Sequence, residues 1–290
     1  MSRLLDSSRM LRWHGFIRLV RLSNSVPASV LVLIGAYLAK GWPLIHAAWL
    51  AAAAMWCVTA FGYTSNDCFD LTEDKINKPD RPIPAGLVSA SSARGLAGLL
   101  AVGGLGFSLL ISPLATGVAF TVLILLTLYN VRLKATPGGG NLLIALLAGC
   151  TLLVGAVAVA GFSWQTLEPL GAPALVLTSF ITAREILKTL EDVEGDRIAG
   201  KQTLATRLGP GKVMRFIGAL SLITFILSWI PFIQLGYSRT YLLLTNLGVN
   251  APLFFTTIYL WHDASPQRVS RCLALLKGSY FAGILALLLA

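Results

Sequence analysis

Charge is what this sequence has least of. Only 12% of its 290 residues are Asp, Glu, Lys or Arg, while 56% are apolar, and a soluble domain carries roughly twice that charged share. An ordinary water-soluble globule is therefore excluded. Histidine is scarce, with three in the whole chain, and the four cysteines, Cys57, Cys68, Cys150 and Cys272, show no CxxC or metal spacing. That excludes a zinc site and a disulfide framework and leaves the cysteines as small buried side chains. Long Gly/Ser linkers, low-complexity blocks and shifts of composition are also missing, so residues 1–290 read as a single intramembrane domain.

What is present is a series of apolar runs at about 16–39, 44–65, 91–111, 114–130, 141–161, 171–191, 213–233, 240–261 and 270–290. Each is close to the length that crosses about 30 Å of hydrocarbon as a helix. The expected class is all-α: a polytopic membrane protein with nine transmembrane helices. The first run is too long for a signal-peptide core and has Arg18 and Arg21 near its start, so it reads as a retained anchor.

The net charge of +10 would suggest nucleic acid in a soluble protein, but here the placement of Lys and Arg decides its meaning. With a cytoplasmic N-terminus, one face receives Arg3, Arg9, Arg12, Lys75, Lys78, Arg81, Arg132, Lys134, Arg197, Lys201, Arg207, Lys212 and Arg268, whereas the opposite connectors hold Lys40 and Arg239. This asymmetry assigns the basic residues to topology and predicts an integral protein of a prokaryotic inner membrane with that face cytoplasmic. No nucleic-acid partner and no obligate protein partner is implied.

Ten of the thirteen acids lie in two windows on the same face: Asp67, Asp70, Glu73, Asp74 and Asp80, then Glu185, Glu191, Asp192, Glu194 and Asp196. If the second helix continues past residue 65, Asn66, Asp67, Asp70 and Asp74 share one side of it, and Glu185, Lys188, Asp192 and Asp196 form a similar stripe. Like charges gathered beside a bilayer repel and demand a cation. The donors are hard oxygens without His or Cys, which favours Mg²⁺. Mg²⁺ takes one or two carboxylates and completes its shell with water and phosphate oxygens, so two such clusters read as a clamp for a diphosphate. Lys78, Arg81, Arg132, Lys134 and Lys188 lie beside the acids and suit the remaining diphosphate oxygens. The alternative is that acids and bases alike are solvated helix ends. The repeated placement, four helices apart, also hints at duplication of a four-helix unit.

The stretch "NDCFDLTED" has the NDxxDxxxD form of UbiA-type intramembrane prenyltransferases, and "EDVEGDRIAGKQTLATRLG" resembles their second Asp motif. "DKINKPDRPIPAG" and "YNVRLKATPGGGNLLIALLAG" resemble the segments that follow in that family, and "REILKTLEDVEGD" is most similar to the branch that includes digeranylgeranylglyceryl phosphate synthases. The resemblance implies a nine-helix bundle around a cavity capped on the cytoplasmic side. It also implies Mg²⁺ at Asn66, Asp67, Asp70, Asp74, Asp192 and Asp196, with Lys134, assisted by Arg132, contacting the diphosphate. Asp70, Asp192 and Asp196 would carry ionisation of a prenyl diphosphate, and a lipophilic acceptor, either an aromatic ring or a prenylglyceryl phosphate hydroxyl, would capture the prenyl group. Asn24, in "RLSNSVP" with Arg21, and Tyr129 are candidates for lining the site. Glu185 is a candidate general base, with a salt bridge to Lys188 or Arg184 as its alternative role. A terpene cyclase would use the same motifs, with the chain's own double bonds capturing the cation. A cation-coupled transporter fits less well, because the acids sit at one face rather than at mid-membrane.

Overall fold

The computed structural model describes residues 13–40 and 45–290. Arg3, Arg9 and Arg12, counted above with the basic face, and residues 41–44 lie outside the described residues. Among those described there is no strand, and nine helices are long and apolar enough to cross a membrane. These are α1 (Leu22–Lys40), α2 (His46–Phe69), α4 (Ala90–Leu109), α5 (Pro113–Val131), α6 (Gly139–Ala160), α7 (Trp164–Glu191), α9 (Leu204–Gln234), α10 (Arg239–Thr245) running on into α11 (Ala251–Leu260), and α12 (Pro266–Leu288). Two short helices follow the acidic ends: α3 (Leu71–Asn77) after α2 and α8 (Val193–Ile198) after α7. Large side chains such as Leu99, Ile233 and Ile258 are exposed, as expected where the solvent is lipid.

The expected runs all appear, with the largest changes in three of them. The first is interrupted at Arg21, whose φ of 46° stops the helical turns of residues 13–19 before α1 begins. The sixth starts at Trp164 rather than 171, where the Ser163 hydroxyl caps the Thr166 N–H. The seventh starts at Leu204 rather than 213, capped by Thr203, and bends where Gly209 takes φ 73° ahead of Pro210. Ser89, Ser112 and Ser238 cap α4, α5 and α10 in the same way; each hydroxyl satisfies an N–H that the helix leaves open.

Within the chain two compact units can be distinguished, where the sequence reads as one domain. One takes the residues up to Ser29 and Trp49–Arg132; the other takes Val30–Ala48 and Leu133–Ala290. In the first unit α4 approaches α2 through Gly104, where a Cβ would lie 2.9 Å from Val58 Cγ2, and α2 meets α5 at Gly62 against Leu126. Leu19, Ile83, Val88 and Ala93 form a separate buried group that seats the loop after α3. In the second unit α6 and α7 cross at Gly149, whose Cβ would fall 2.7 Å from the Ala174 carbonyl oxygen, and Phe180, Leu187, Met214, Ile217, Leu253 and Leu276 build a shared core.

The tightest contact in the second unit joins α6 to α1: a Cβ on Gly155 would lie 1.8 Å from Val32 O, and one on Gly35 1.9 Å from Leu152 O. Lipid offers no hydrophobic drive between helices, so association rests on such close backbone packing. Gly155→Ala forces the helices apart and is expected to cost about 1–3 kcal/mol or more. Gly98→Ala, where nothing lies within 4 Å, is expected to be neutral or stabilising by up to about 1 kcal/mol. Thermal unfolding of the detergent-purified variants checks the pair, and equal losses would show that the α1–α6 contact does not govern stability.

Candidate active site

In the first unit α2 carries Asn66 and Asp67 to its end, and the chain then breaks at Asp70 (φ −89°, ψ 13°) before α3 resumes. The break preserves the spacing, because Asp70 N–H donates to Asn66 O at 2.9 Å and Asp74 N–H to Asp70 O at 2.8 Å. Asn66, Asp70 and Asp74 thus keep the four-residue step that puts them on one side. The second unit repeats the device: Asp192 ends α7 with φ −95° and ψ 6°, accepting from Asp196 N–H at 2.9 Å and donating to Lys188 O at 3.1 Å. Two acidic motifs, with no identity beyond the placement of their carboxylates, share nearly the same backbone break.

Arginine covers the carboxylates of the first motif. Asp67, 1% exposed, accepts from Arg21 and from Arg81 Nη1 at 3.1 Å, and Asp74 accepts from Arg81 Nη1 at 2.5 Å. Arg21 reaches Asp67 from the left-handed position that ends the first helical turns, and its guanidinium lies over the Tyr63 ring, 4.9 Å from the centroid. A bulky residue with φ above zero costs energy and is held by its surroundings; here the holding contacts are those to Asp67 and Tyr63. Arg81 is brought in by the loop after α3, whose Pro82 carbonyl accepts from Leu87 and Val88 and whose Asp80 carbonyl accepts from Arg18 at 2.6 Å. Asn66 donates to Asn130 Oδ1 at 3.0 Å, and Asn130 donates to Ser65 Oγ at 2.9 Å, so the end of α5 is tied to the motif.

Burial pushes the Asp74 carboxyl above the usual carboxylate range; Arg81 pulls it back, and Asp67 and Asp70 add to the rise. What the protonated carboxyl contributes to stability at low pH is lost as pH rises through its raised pKa. The guanidinium of Arg81 offsets part of that burial penalty. Arg81 is disfavoured by its own burial, but Asp67 and Asp74 outweigh that and hold it charged.

In the second unit Asp192 and Asp196 stand at the two ends of the first turn of α8, and Asp196 is buried. Asp196 O accepts from Lys201 N–H at 2.8 Å, and Gln202 N–H donates to Ala135 O at 3.2 Å. The second contact brings the short turn Leu133–Ala135, which carries Lys134, onto the loop after α8. Gly140 lets the same turn pack on α6, since a Cβ there would lie 2.7 Å from Leu133 O. Deeper in α7, Glu185 is buried, with Oε1 3.1 Å from Arg184 Nη1 and Oε2 2.8 Å from Lys188 Nζ. Both ion pairs expected as its alternative role are thus present at Glu185.

Of the other expected residues, Asn24, Tyr129 and Lys78 are half-buried in the first unit, and Arg132 is exposed at the end of α5. The sequence singled out Arg81 but did not show that it grips Asp67 and Asp74. Arg184 was read only as a possible partner of Glu185. Its cue in the sequence is a third charge inside an otherwise apolar run.

Among the described residues no three His, Cys, Asp or Glu side chains converge on one point to hold a metal. Two aspartates on a shared side, a buried carboxyl that needs a cation, and hard oxygen donors throughout do fit Mg²⁺, which draws the rest of its shell from water and phosphate.

An integral membrane enzyme with its acids gathered at two interrupted helix ends is the class these features define. The UbiA prenyltransferase family matches residues 28–281, and the chain belongs to that family. It is 39% identical over 223 residues to digeranylgeranylglyceryl phosphate synthase of Methanoregula boonei, covering 77% of this chain and 78% of the relative. A solved digeranylgeranylglyceryl phosphate synthase superposes with a TM-score of 0.72 at 29% identity, over 95% of this chain and 97% of that one. A UbiA homologue from Archaeoglobus fulgidus, solved with DMAPP and Mg²⁺, superposes with a TM-score of 0.68 at 20% identity over 93% and 99% of the two chains.

Removing Arg81 leaves Asp67 and Asp74 short of a counter-charge, and breaking such a buried pair from one side costs about 3–5 kcal/mol. Arg81→Met is expected to melt well below the parent protein in EDTA and to recover more than the parent does when millimolar Mg²⁺ is added. Equal Mg²⁺ responses in a thermal melt would show that Arg81 and the metal do not compete for the same carboxylates.

Proposed function

We propose that this protein transfers a prenyl group from a polyprenyl diphosphate to the hydroxyl of a prenylglyceryl phosphate, with Mg²⁺, inside the membrane. The observation that carries this reading is the repeated aspartate break at Asp70 and Asp192, each followed four residues on by a second, buried aspartate. The names and bound ligands of the similar proteins support the choice of donor, metal and acceptor. The family match runs through both compact units, which supports reading the chain as one prenyltransferase domain. The lopsided distribution of Lys and Arg supports a cytoplasmic position for the motif face.

Mg²⁺ supplies the charge that stabilises diphosphate as a leaving group. Asn66, Asp67, Asp70 and Asp74 in the first motif and Asp192 and Asp196 in the second offer the oxygens that would hold it. Arg21 and Arg81 contact Asp67 and Asp74; with those carboxylates holding the metal, the two guanidinium groups would be placed to donate to diphosphate oxygens. Lys134, Arg132 and Lys78 extend the same set. In the reaction the C1–O bond of the donor breaks, diphosphate leaves with the electron pair, the acceptor oxygen bonds to C1, and the hydroxyl proton passes to a base. Apolar helix faces exclude water from the allylic cation in the interval. Asn24 and Tyr129 are assigned to substrate contact. Glu185, committed to two cations, holds those cations in place in this scheme.

Asp70→Asn and Asp192→Asn are each expected to lower Mg²⁺-dependent pyrophosphate release by at least about 10³-fold while the protein stays monodisperse, since each removes charge stabilisation used in the ionised state. Lys134→Ala is expected to raise the KM for prenyl diphosphate with a smaller effect on kcat. The assay is pyrophosphate release with and without acceptor, followed by extraction of the organic product. Full activity of either Asp variant would refute the diphosphate site, and a cyclic hydrocarbon formed without acceptor would replace transfer with cyclisation.

A further inference from the structure

A charged group lies inside α7, deeper than the aspartates at the helix end. Arg184, Lys188 and Asp192 fall at i, i+4 and i+8, so the two cations continue inward along the side of the helix that ends in the motif aspartate. At 1.5 Å per residue Arg184 lies about 12 Å further along the axis than Asp192. Both cations contact the same carboxylate, that of Glu185, and the Glu185 carbonyl accepts from Asn141 Nδ2 at 2.8 Å, which ties this turn to α6. From α12 the Tyr280 ring underlies the Arg184 guanidinium at 5.4 Å and meets Phe180 edge-on, with ring centroids 5.8 Å apart.

Charges inside a membrane span are expensive, and a buried ion pair rarely repays its desolvation. One cation would neutralise Glu185; a second, oriented by an aromatic ring, is more than a structural pair requires. A planar guanidinium fixed against a ring is the group suited to a phosphate.

We propose that Arg184, with Lys188, forms the subsite for the phosphate monoester of the acceptor. This rests on the reading of the protein as a transferase acting on a prenylglyceryl phosphate. The donor's diphosphate belongs at the aspartates, so the acceptor hydroxyl must lie near C1 of the donor, and its own phosphate further from the helix end. The Arg184 and Lys188 turn occupies that direction along α7. Glu185 and Tyr280 act as positioning residues that hold the guanidinium, and the subsite selects acceptors bearing a phosphate over neutral glycerol ethers and phenols.

The test uses the full-length protein in detergent with Mg²⁺ and saturating geranylgeranyl diphosphate, offering geranylgeranylglyceryl phosphate, its dephosphorylated alcohol, or a phenolic acceptor. Arg184→Gln is expected to raise the KM for the phosphate-bearing acceptor by at least about tenfold and leave the KM for the donor within about twofold, the pattern of a lost acceptor contact. Lys188→Gln is expected to act in the same direction, and it reports independently if the Arg184 variant does not fold. Equilibrium binding to the unaltered protein needs no variant: the phosphate-bearing acceptor should bind at least about tenfold more tightly than its alcohol. Normal transfer to geranylgeranylglyceryl phosphate, with either its KM unmoved by both variants or its alcohol bound equally well, overturns the subsite alone. Transfer by the unaltered protein only to the phenol, or to no acceptor, overturns the acceptor reading and the subsite with it.

Discussion

A carboxylate at the end of an apolar helix has to find a cation, and much of the local structure around the first motif follows from that requirement. Asp67 and Asp74 are almost fully buried, and burial pushes the Asp74 carboxyl up from its ordinary value. Arginine meets the requirement from two directions. Arg21 arrives through a left-handed backbone position that ends the preceding helical turns, and Arg81 through a loop seated on Leu19, Val88 and Ala93. The helix interruption near residue 21 and the order in the loop after α3 are both consequences of supplying positive charge to one place.

Guanidinium cover also makes the acids usable. In the proposed site the aspartates paired with arginine would be the ones to hold Mg²⁺, and the guanidinium groups beside them would then be left to face phosphate. Charge in such a site would be redistributed rather than created on substrate binding, and the apolar surroundings would make each exchange count for more than it does in water. The break at Asp70 serves the same end, because it lets α2 stay apolar through the membrane while α3 turns its acids aside without losing the four-residue spacing.

The membrane spans were legible in the sequence because an apolar run of twenty residues has few other solutions in water. Their ends were less so. Trp164 to Leu170 and Leu204 to Lys212 carry Pro169, Arg207 and Pro210, which read as connector, yet the helices begin there at a Ser or Thr cap. The aspartate motifs were visible as spacing, and so was the crowd of basic residues near them. Which base meets which acid was not: Arg21 and Asp67 are 46 residues apart, and Arg81 and Asp67 14, so their pairing depends on tertiary contacts of the loop. The left-handed φ of Arg21 leaves no trace in a side-chain pattern at all.

Glu185 shows most clearly what geometry adds to composition. An acid one or two turns inside a helix that ends in a catalytic motif invites the role of proton acceptor, and sequence spacing alone cannot separate that from a salt bridge. With Arg184 on one oxygen and Lys188 on the other, proton transfer to Glu185 would neutralise the very charge that holds both cations in the bilayer. The energetic cost of that step falls on the two bases rather than on the acid. A carboxylate so placed is better suited to organising positive charge than to accepting a proton, which is the arrangement that the proposed subsite at Arg184 and Lys188 uses.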